Sequence, residues 1–183
     1  MYKIVLIASI FLALILVACG SRVTDAEVPA IGTSNSTFQV TVSVYIDGDE
    51  MDDEYWGGVA IQIPSGWSAD QVEFFGPDSG AMAYSDTYTS ALDSAYLPPA
   101  GYKWSGFRTE SKIDVEGEEL FTVLMTVHTD DLQAVVELCF HSAYISFESQ
   151  WDWHYAPLGG FFIEILPGAL EQQTWAEIKT SFD

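Results

Sequence analysis

Between residues 38 and 46 the apolar side chains Phe38, Val40, Val42, Val44 and Ile46 alternate with Gln39, Thr41, Ser43 and Tyr45. This is the period of a strand with one buried face. Val59, Ile61 and Ile63 repeat the pattern and run into Pro64-Ser65-Gly66-Trp67, where Pro and Gly suit a type I turn. Val72 and Phe74 predict a short strand closed by Gly76-Pro77, and the polar, tyrosine-bearing stretch 78–99 reads as a long excursion. Phe121, Val123, Met125 and Val127 line one face of a long strand over 120–128, with Asp130 and Asp131 making the next turn. Ala134, Val136, Leu138 and Phe140 then occupy even positions, but beyond His141 the apolar set moves to the odd positions Ala143, Ile145 and Phe147. A slip of one residue turns a strand over, so a bulge or a crossing between sheets is predicted near His141 and Ser142. Phe161, Ile163 and Ile165, behind Gly159-Gly160, form the last strand. Only the C-terminus reads as a helix, opening on the capping box Thr174-Trp175-Ala176-Glu177. Short alternating strands, frequent turn signals and one short C-terminal helix predict an all-β fold, an antiparallel β-sandwich.

Residues 1–3 carry one lysine and are followed by a run over 4–18 that is apolar except for Ser9. That run is shorter than the ~20 residues a membrane-spanning helix needs and fits the h-region of an export signal. It ends in Leu16-Val17-Ala18-Cys19, which resembles the lipobox of bacterial lipoproteins. The resemblance implies cleavage before Cys19, a diacylglyceryl thioether on its sulfur, and attachment to a membrane through that lipid. A single acyl chain binds only marginally, at ~0.8 kcal/mol per buried methylene, so two or three chains make such an anchor stable. Gly20 after the cysteine implies the outer membrane in a diderm organism, and otherwise the outer face of the cytoplasmic membrane. The expected organisation is a signal peptide over 1–18, a flexible tether over 19–37 rich in small residues, and a β-sandwich domain over 38–183.

Charge narrows the partners. The chain has 27 Asp and Glu against 6 Lys and Arg, a formal net charge of −21. Such a field repels phosphate backbones, and no basic stripe offsets it, which excludes nucleic acid as a partner. Anionic membrane surfaces are repelled as well, so the domain is expected to stand away from the bilayer on its tether. Aromatic residues make up 14% of the chain, so the acidity decorates a packed globule and not a disordered tail. With Cys19 lipidated, Cys139 has no intramolecular disulfide partner.

The order of Ile63-Pro64-Ser65-Gly66-Trp67, then Pro98-Pro99-Ala100-Gly101-Tyr102-Lys103-Trp104, then the 120–128 strand resembles immunoglobulin-like or fibronectin-type-III-like modules of secreted bacterial proteins. The resemblance spans most of 38–166 and implies an immunoglobulin-like sandwich serving as a spacer, adhesion element or accessory domain. It lends no catalytic residue, and the chain lacks the paired core cysteines of immunoglobulin domains.

Four constellations could carry chemistry. Asp47, Asp49, Glu50, Asp52, Asp53 and Glu54 follow the first strand directly. They form either a solvated acidic loop or a weak calcium site through Asp47, Asp49, Asp52 and Asp53, as in extracellular modules. The spacing is not that of an EF-hand, since Asp52 stands where that loop needs its glycine and Gly58 where it needs its glutamate. Trp151, Trp153 and Tyr155 would share one face of an extended segment. With Trp104 they either stack on a sugar or protein ligand or close the end of the core; Trp56 and Trp67 are open to the same two readings. Glu137, Cys139 and His141 fall on one face of a strand, but a nucleophile also needs an oriented base and an oxyanion site, and neither is evident. Carboxylate pairs for glycoside hydrolysis can be drawn from any chain with 27 acids, and a small sandwich seldom holds two across a cleft. The expectation is a lipid-anchored envelope protein that binds or presents toward a protein or glycan and is no enzyme. The alternatives are a carbohydrate-binding module using the aromatic row and, third, an enzyme acting on envelope or extracellular polymers.

If the acidic run is a calcium site, millimolar calcium should raise the melting temperature more than magnesium does, because magnesium demands tighter octahedral geometry. Asn at Asp47, Asp49 and Asp52 should remove that effect and leave the fold intact. A melting temperature indifferent to both calcium and chelator would make the run a solvated turn.

Overall fold

A computed structural model describes residues 20–48, 55–115, 117–147, 150–152 and 155–168. Eleven strands and one helix follow in chain order: β1 Gly20–Glu27, β2 Ile31–Thr33, β3 Thr37–Gly48, β4 Trp56–Pro64, β5 Ser68–Phe75, β6 Gly80–Tyr84, α1 Asp86–Ala95, β7 Tyr102–Thr109, β8 Gly117–His128, β9 Val135–Phe147, β10 Gln150–Asp152 and β11 Leu158–Leu166. The predicted all-β character holds. The strands join into one sheet in the order β1-β3-β8-β5-β6-β7-β4-β9-β11-β2, with β10 on β9. All described pairings are antiparallel except β11 with β2.

In place of two separate sheets, this single sheet curls into a half-barrel, because β6 bridges β5 on one wall to β7 on the other. The inward faces of the two walls meet in one core. Val40, Val42, Val44, Phe121, Val123 and Met125 come from one side, and Ile61, Ile63, Leu138, Phe140 and Ile163 from the other. The alternation of β3 and β8 maps directly onto this core, and Val42 lies beside Val123 on its one wall. Each such side chain contributes roughly 1.5–3 kcal/mol of burial, offset by the ordering of the chain.

Three expectations are corrected. First, the segment read as a tether forms β1 and β2, with β1 hydrogen-bonded along β3 from Gly20 opposite Asp47 to Glu27 opposite Thr41. Its periodicity is hidden because its buried members include the small Ser21 and Ala26 and because a bulge between Val23 and Asp25 breaks the register.

Second, the stretch 78–99 contains β6 and α1. Ser85 caps the helix by accepting from the Tyr88 amide, and Tyr88, Thr89 and Leu92 form its buried face. Gly106 on β7 lets the helix lie close, since a Cβ there would stand 2.9 Å from the Tyr88 ring.

Third, β9 has no bulge at His141. It pairs with β4 without a break from Trp56 opposite Ile145 to Gln62 opposite Cys139. The switch of apolar parity arises because β9 is covered on both faces. Val136, Leu138 and Phe140 face the main core, while Ala143 joins Ala60, Tyr88, Leu92 and Trp104 in a second core beneath α1. The predicted C-terminal helix and the signal peptide lie outside the described residues.

Because Val42 and Val123 form a cross-strand pair in the main core, Val42→Asp or Val123→Asp should abolish the cooperative melt. An unpaired buried carboxylate costs several kcal/mol against a total of about 5–15 kcal/mol. A near-native midpoint would show that these faces do not point inward.

Candidate functional site

The chemistry-bearing side chains gather under and beside α1. Its buried Tyr88 reaches β9, where the hydroxyl stands 2.8 Å from His141 Nδ1. The His141 ring also lies 5.4 Å from that of Tyr96 at the helix C-cap. Burial lowers the pKa of His141 to about 4, and a hydrogen bond with the Tyr155 backbone opposes the shift only in part. Burial, helped by neighbouring Tyr96, holds the Tyr88 hydroxyl protonated well above its ordinary range. The pair is therefore a protonated phenol hydrogen-bonded to a neutral imidazole, an arrangement that supports the helix on the sheet.

Trp104, a candidate ligand contact, does not reach the surface. It is 3% exposed, and its indole donates to the Tyr96 carbonyl at 2.8 Å. Trp67 is likewise buried and donates to Asp130 Oδ1 at 3.0 Å. Both indoles close the core. The buried site of each follows from its polar handle, since an indole N–H inside a protein needs an acceptor.

The aromatic row is described only in part. Trp151 lies within β10, whose flanking Gln150 and Asp152 pair with Phe147 and Tyr144 of β9; Trp153 lies outside the described residues. Tyr155 is half-buried, its carbonyl accepting from the Tyr96 hydroxyl at 3.5 Å. The Arg22 guanidinium stands 5.6 Å from the Tyr155 ring and 4.7 Å from Tyr45, linking the end of the row to β1 and β3. Sequence reasoning missed Arg22 because its segment carried no strand signal. Arg108 and Lys112 stand over Trp56 in the same manner, at 5.4 and 5.0 Å.

Glu137, Cys139 and His141 do share the outer face of β9. Glu137 Oε1 accepts from the Gly160 amide at 2.9 Å. Burial, then the neighbouring Glu137 charge, pushes the Cys139 thiol up, which disfavours the thiolate a nucleophile requires. His128 pairs with Asp70 at 2.8 Å on the surface. Of the acidic run, Asp49, Asp52 and Asp53 lie outside the described residues, and Asp47 is described by its backbone pairing with Gly20 and Glu118. Cys19 also lies outside them.

A second feature, which no sequence pattern announces, is the outer face of β9, β11 and β2. Val135 and Ile31 both neighbour Glu164, and Phe162 neighbours Glu137. Ile31, Val135 and Phe162 are 59, 65 and 58% exposed. Gly32 and Ile163 between them turn inward, which fixes these apolar residues on the solvent side.

No family model matches the chain, and no curated protein does. Similar solved structures include the cohesin module of a Clostridium perfringens family 33 glycoside hydrolase, at 13% identity and a TM-score of 0.42, covering 82% of this chain and 98% of that one. The full-length major pilin SpaD of Corynebacterium diphtheriae is similar at 8% identity and a TM-score of 0.47, covering 79% of this chain and 33% of the pilin. The collagen-binding domain of a Staphylococcus aureus adhesin is similar at 9% identity and a TM-score of 0.34, covering 81% of this chain and 97% of that domain. At these identities the likenesses lend this chain no residue role and no activity.

The His141 environment sets a pH dependence. The unfolded chain takes a proton on this ring near 6.5 and the folded one only near 4, so in that window the unfolded state binds more protons. Stability from the neutral imidazole is complete above pH 6.5 and is lost as pH falls toward 4, by about 2–3 kcal/mol. His141→Asn, which stays neutral, should lack this part of the acid slope in melts compared side by side with the parent. Identical slopes would mean that His141 titrates as an exposed histidine.

Proposed function

We propose that this is an exported, lipid-anchored, immunoglobulin-like module that binds or presents and does not catalyse, with a protein as its partner. The anchor is Cys19, in the outer membrane of a diderm or on the outer face of the cytoplasmic membrane otherwise. The observation that carries the partner class is the cluster of Ile31, Val135 and Phe162 on three adjacent strands, exposed beside Glu137 and Glu164. Exposed apolar residues set among charges mark contact surfaces on soluble domains. In a chain of net charge −21, the complementary partner segment carries apolar side chains flanked by Lys or Arg. The engagement of His141 by Tyr88 and the raised pKa of Cys139 support a non-catalytic role. Calcium held by Asp47, Asp49, Asp52 and Asp53 remains part of this proposal as an accessory of the acidic run. Glycan binding through Trp151, Trp153 and Tyr155 is the second reading, supported by the partial exposure of Tyr155 beside Arg22 and weakened by the burial of Trp104.

The test is to apply the chain lacking residues 1–18 to a peptide library and a glycan array in parallel. Peptides combining apolar and basic residues should be enriched, their binding should weaken with salt, and Val135→Asp with Phe162→Asp should remove it at least tenfold, a loss of ~1.4 kcal/mol or more. Glycan binding that survives those substitutions and is lost in Tyr155→Ala would replace the protein reading with the carbohydrate one.

A further inference from the structure

The start of β1 determines how such a module would sit on its membrane. Gly20, the residue immediately after Cys19, is already in the sheet opposite Asp47, and Ser21 and Arg22 follow opposite Ile46 and Tyr45. Ser21 is fully buried, and Arg22 is held over the Tyr45 and Tyr155 rings. From Cys19 to the first sheet residue the chain offers a single Cα–Cα step of ~3.8 Å. No spacer separates the lipid attachment point from the folded domain.

The same end of the sheet is defined by Gly48 opposite Gly117 and Asp47 opposite Glu118. Just before β4, Tyr55 forms an isolated antiparallel bridge with Ile113. The other end of the twelve-residue strand β3, Thr37, lies opposite His128. At ~3.3 Å per residue the two ends are roughly 35–40 Å apart. β2 and the start of β9, with Ile31 and Val135, belong to that far end: β11 pairs Glu164 with both, and Asn35 beyond β2 bonds the Asp130 carbonyl.

We infer that the protein stands directly on the bilayer, with the end formed by Gly20, Asp47–Gly48 and Gly117–Glu118 against the lipid headgroups and the Ile31–Val135–Phe162 face directed away from them. This rests on the reading that Cys19 carries the lipid, and it replaces the expectation of a domain held off by a tether. The membrane is the occupant of the β1 end because the chain leaves the sheet there toward its lipid, and a strand sewn to β3 from its first residue cannot swing the domain over. The chain's net charge of −21 disfavours anionic headgroups and leaves zwitterionic ones as the favoured surface.

The test uses the full lipidated chain in phosphatidylcholine vesicles containing a headgroup nitroxide lipid. In a Cys139→Ser background with a native-like cooperative melt, bimane is attached through Glu118→Cys or Leu132→Cys. Quenching should be several-fold stronger at position 118 than at 132. A twenty-residue Gly/Ser insertion between Cys19 and Gly20 should erase the difference. Equal quenching at both sites without the insertion, with alkyne fatty acid labelling that depends on Cys19, overturns the orientation and leaves the anchor standing. Labelling that persists in Cys19→Ser, or vesicles that fail to retain the chain, overturns the anchor and the inference with it.

Discussion

The pairing of β4 with β9 is the constraint from which the rest of the architecture follows. Every residue of β4 after Trp56 is buried, so its amides and carbonyls have no access to water and must be satisfied by β7 on one side and β9 on the other. A strand buried on both faces needs two layers above it. The inner layer is the main core, reached through Val59, Ile61 and Ile63, and the outer layer is α1, seated on Ala60 and Ala143. Those alanines leave room for Tyr88 and Leu92, which in turn bring the Tyr88 hydroxyl to His141. The burial of His141 beneath the helix is thus a consequence of covering β4 on its second face, and its neutrality follows from the same desolvation.

What the sequence discloses about this fold depends on how many faces of each strand are covered. β3 and β8 are buried on one face, so Val40, Val42, Val44 and Phe121, Val123, Met125 alternate visibly and their inward faces are legible from the residues alone. β9 is buried on both, and there the alternation fails: the move from Phe140 to Ala143 looks like a slip although the backbone runs on regularly. β7 is buried over four consecutive positions, Trp104 to Phe107, and gives no alternation at all. β1 is legible by neither route, because the pairing that holds it is backbone to backbone and two of its buried side chains are Ser21 and Ala26. Helix α1 lacks the Leu-rich stripe that identifies an amphipathic helix, since its buried face joins tyrosine and threonine to a single leucine, Leu92.

The candidate site divides along the same line. Residue type alone said that Trp104 could stack on a ligand, but an indole's destination depends on whether an acceptor lies inside, and the Tyr96 carbonyl supplies one. The shared face of Glu137, Cys139 and His141 was correctly given by strand parity, while the partner that engages His141 was not, because Tyr88 comes from a helix that lies some fifty residues earlier in the chain. The exposed Ile31, Val135 and Phe162 were unreadable for a different reason: three residues from three separate segments become neighbours only through the parallel pairing of β2 with β11.

Charge decides how such a surface can be used. Arg22, Arg108 and Lys112 lie over aromatic rings, where their charge is partly satisfied by the ring face and their stems cover apolar area. With only 6 Lys and Arg against 27 carboxylates, the field around the chain stays strongly negative. At physiological ionic strength that field fades over ~8 Å, so it can select among partners only close to the surface. An apolar patch buried against the bilayer, or free to swing toward it, would present that selection to lipids instead. Were Cys19 to carry the lipid as proposed, β1 would hold the patch at the far end of the sheet, roughly four screening lengths from the headgroups. There Glu137 and Glu164, beside Phe162 and Val135, would act on a molecule approaching from the far side and not on the membrane.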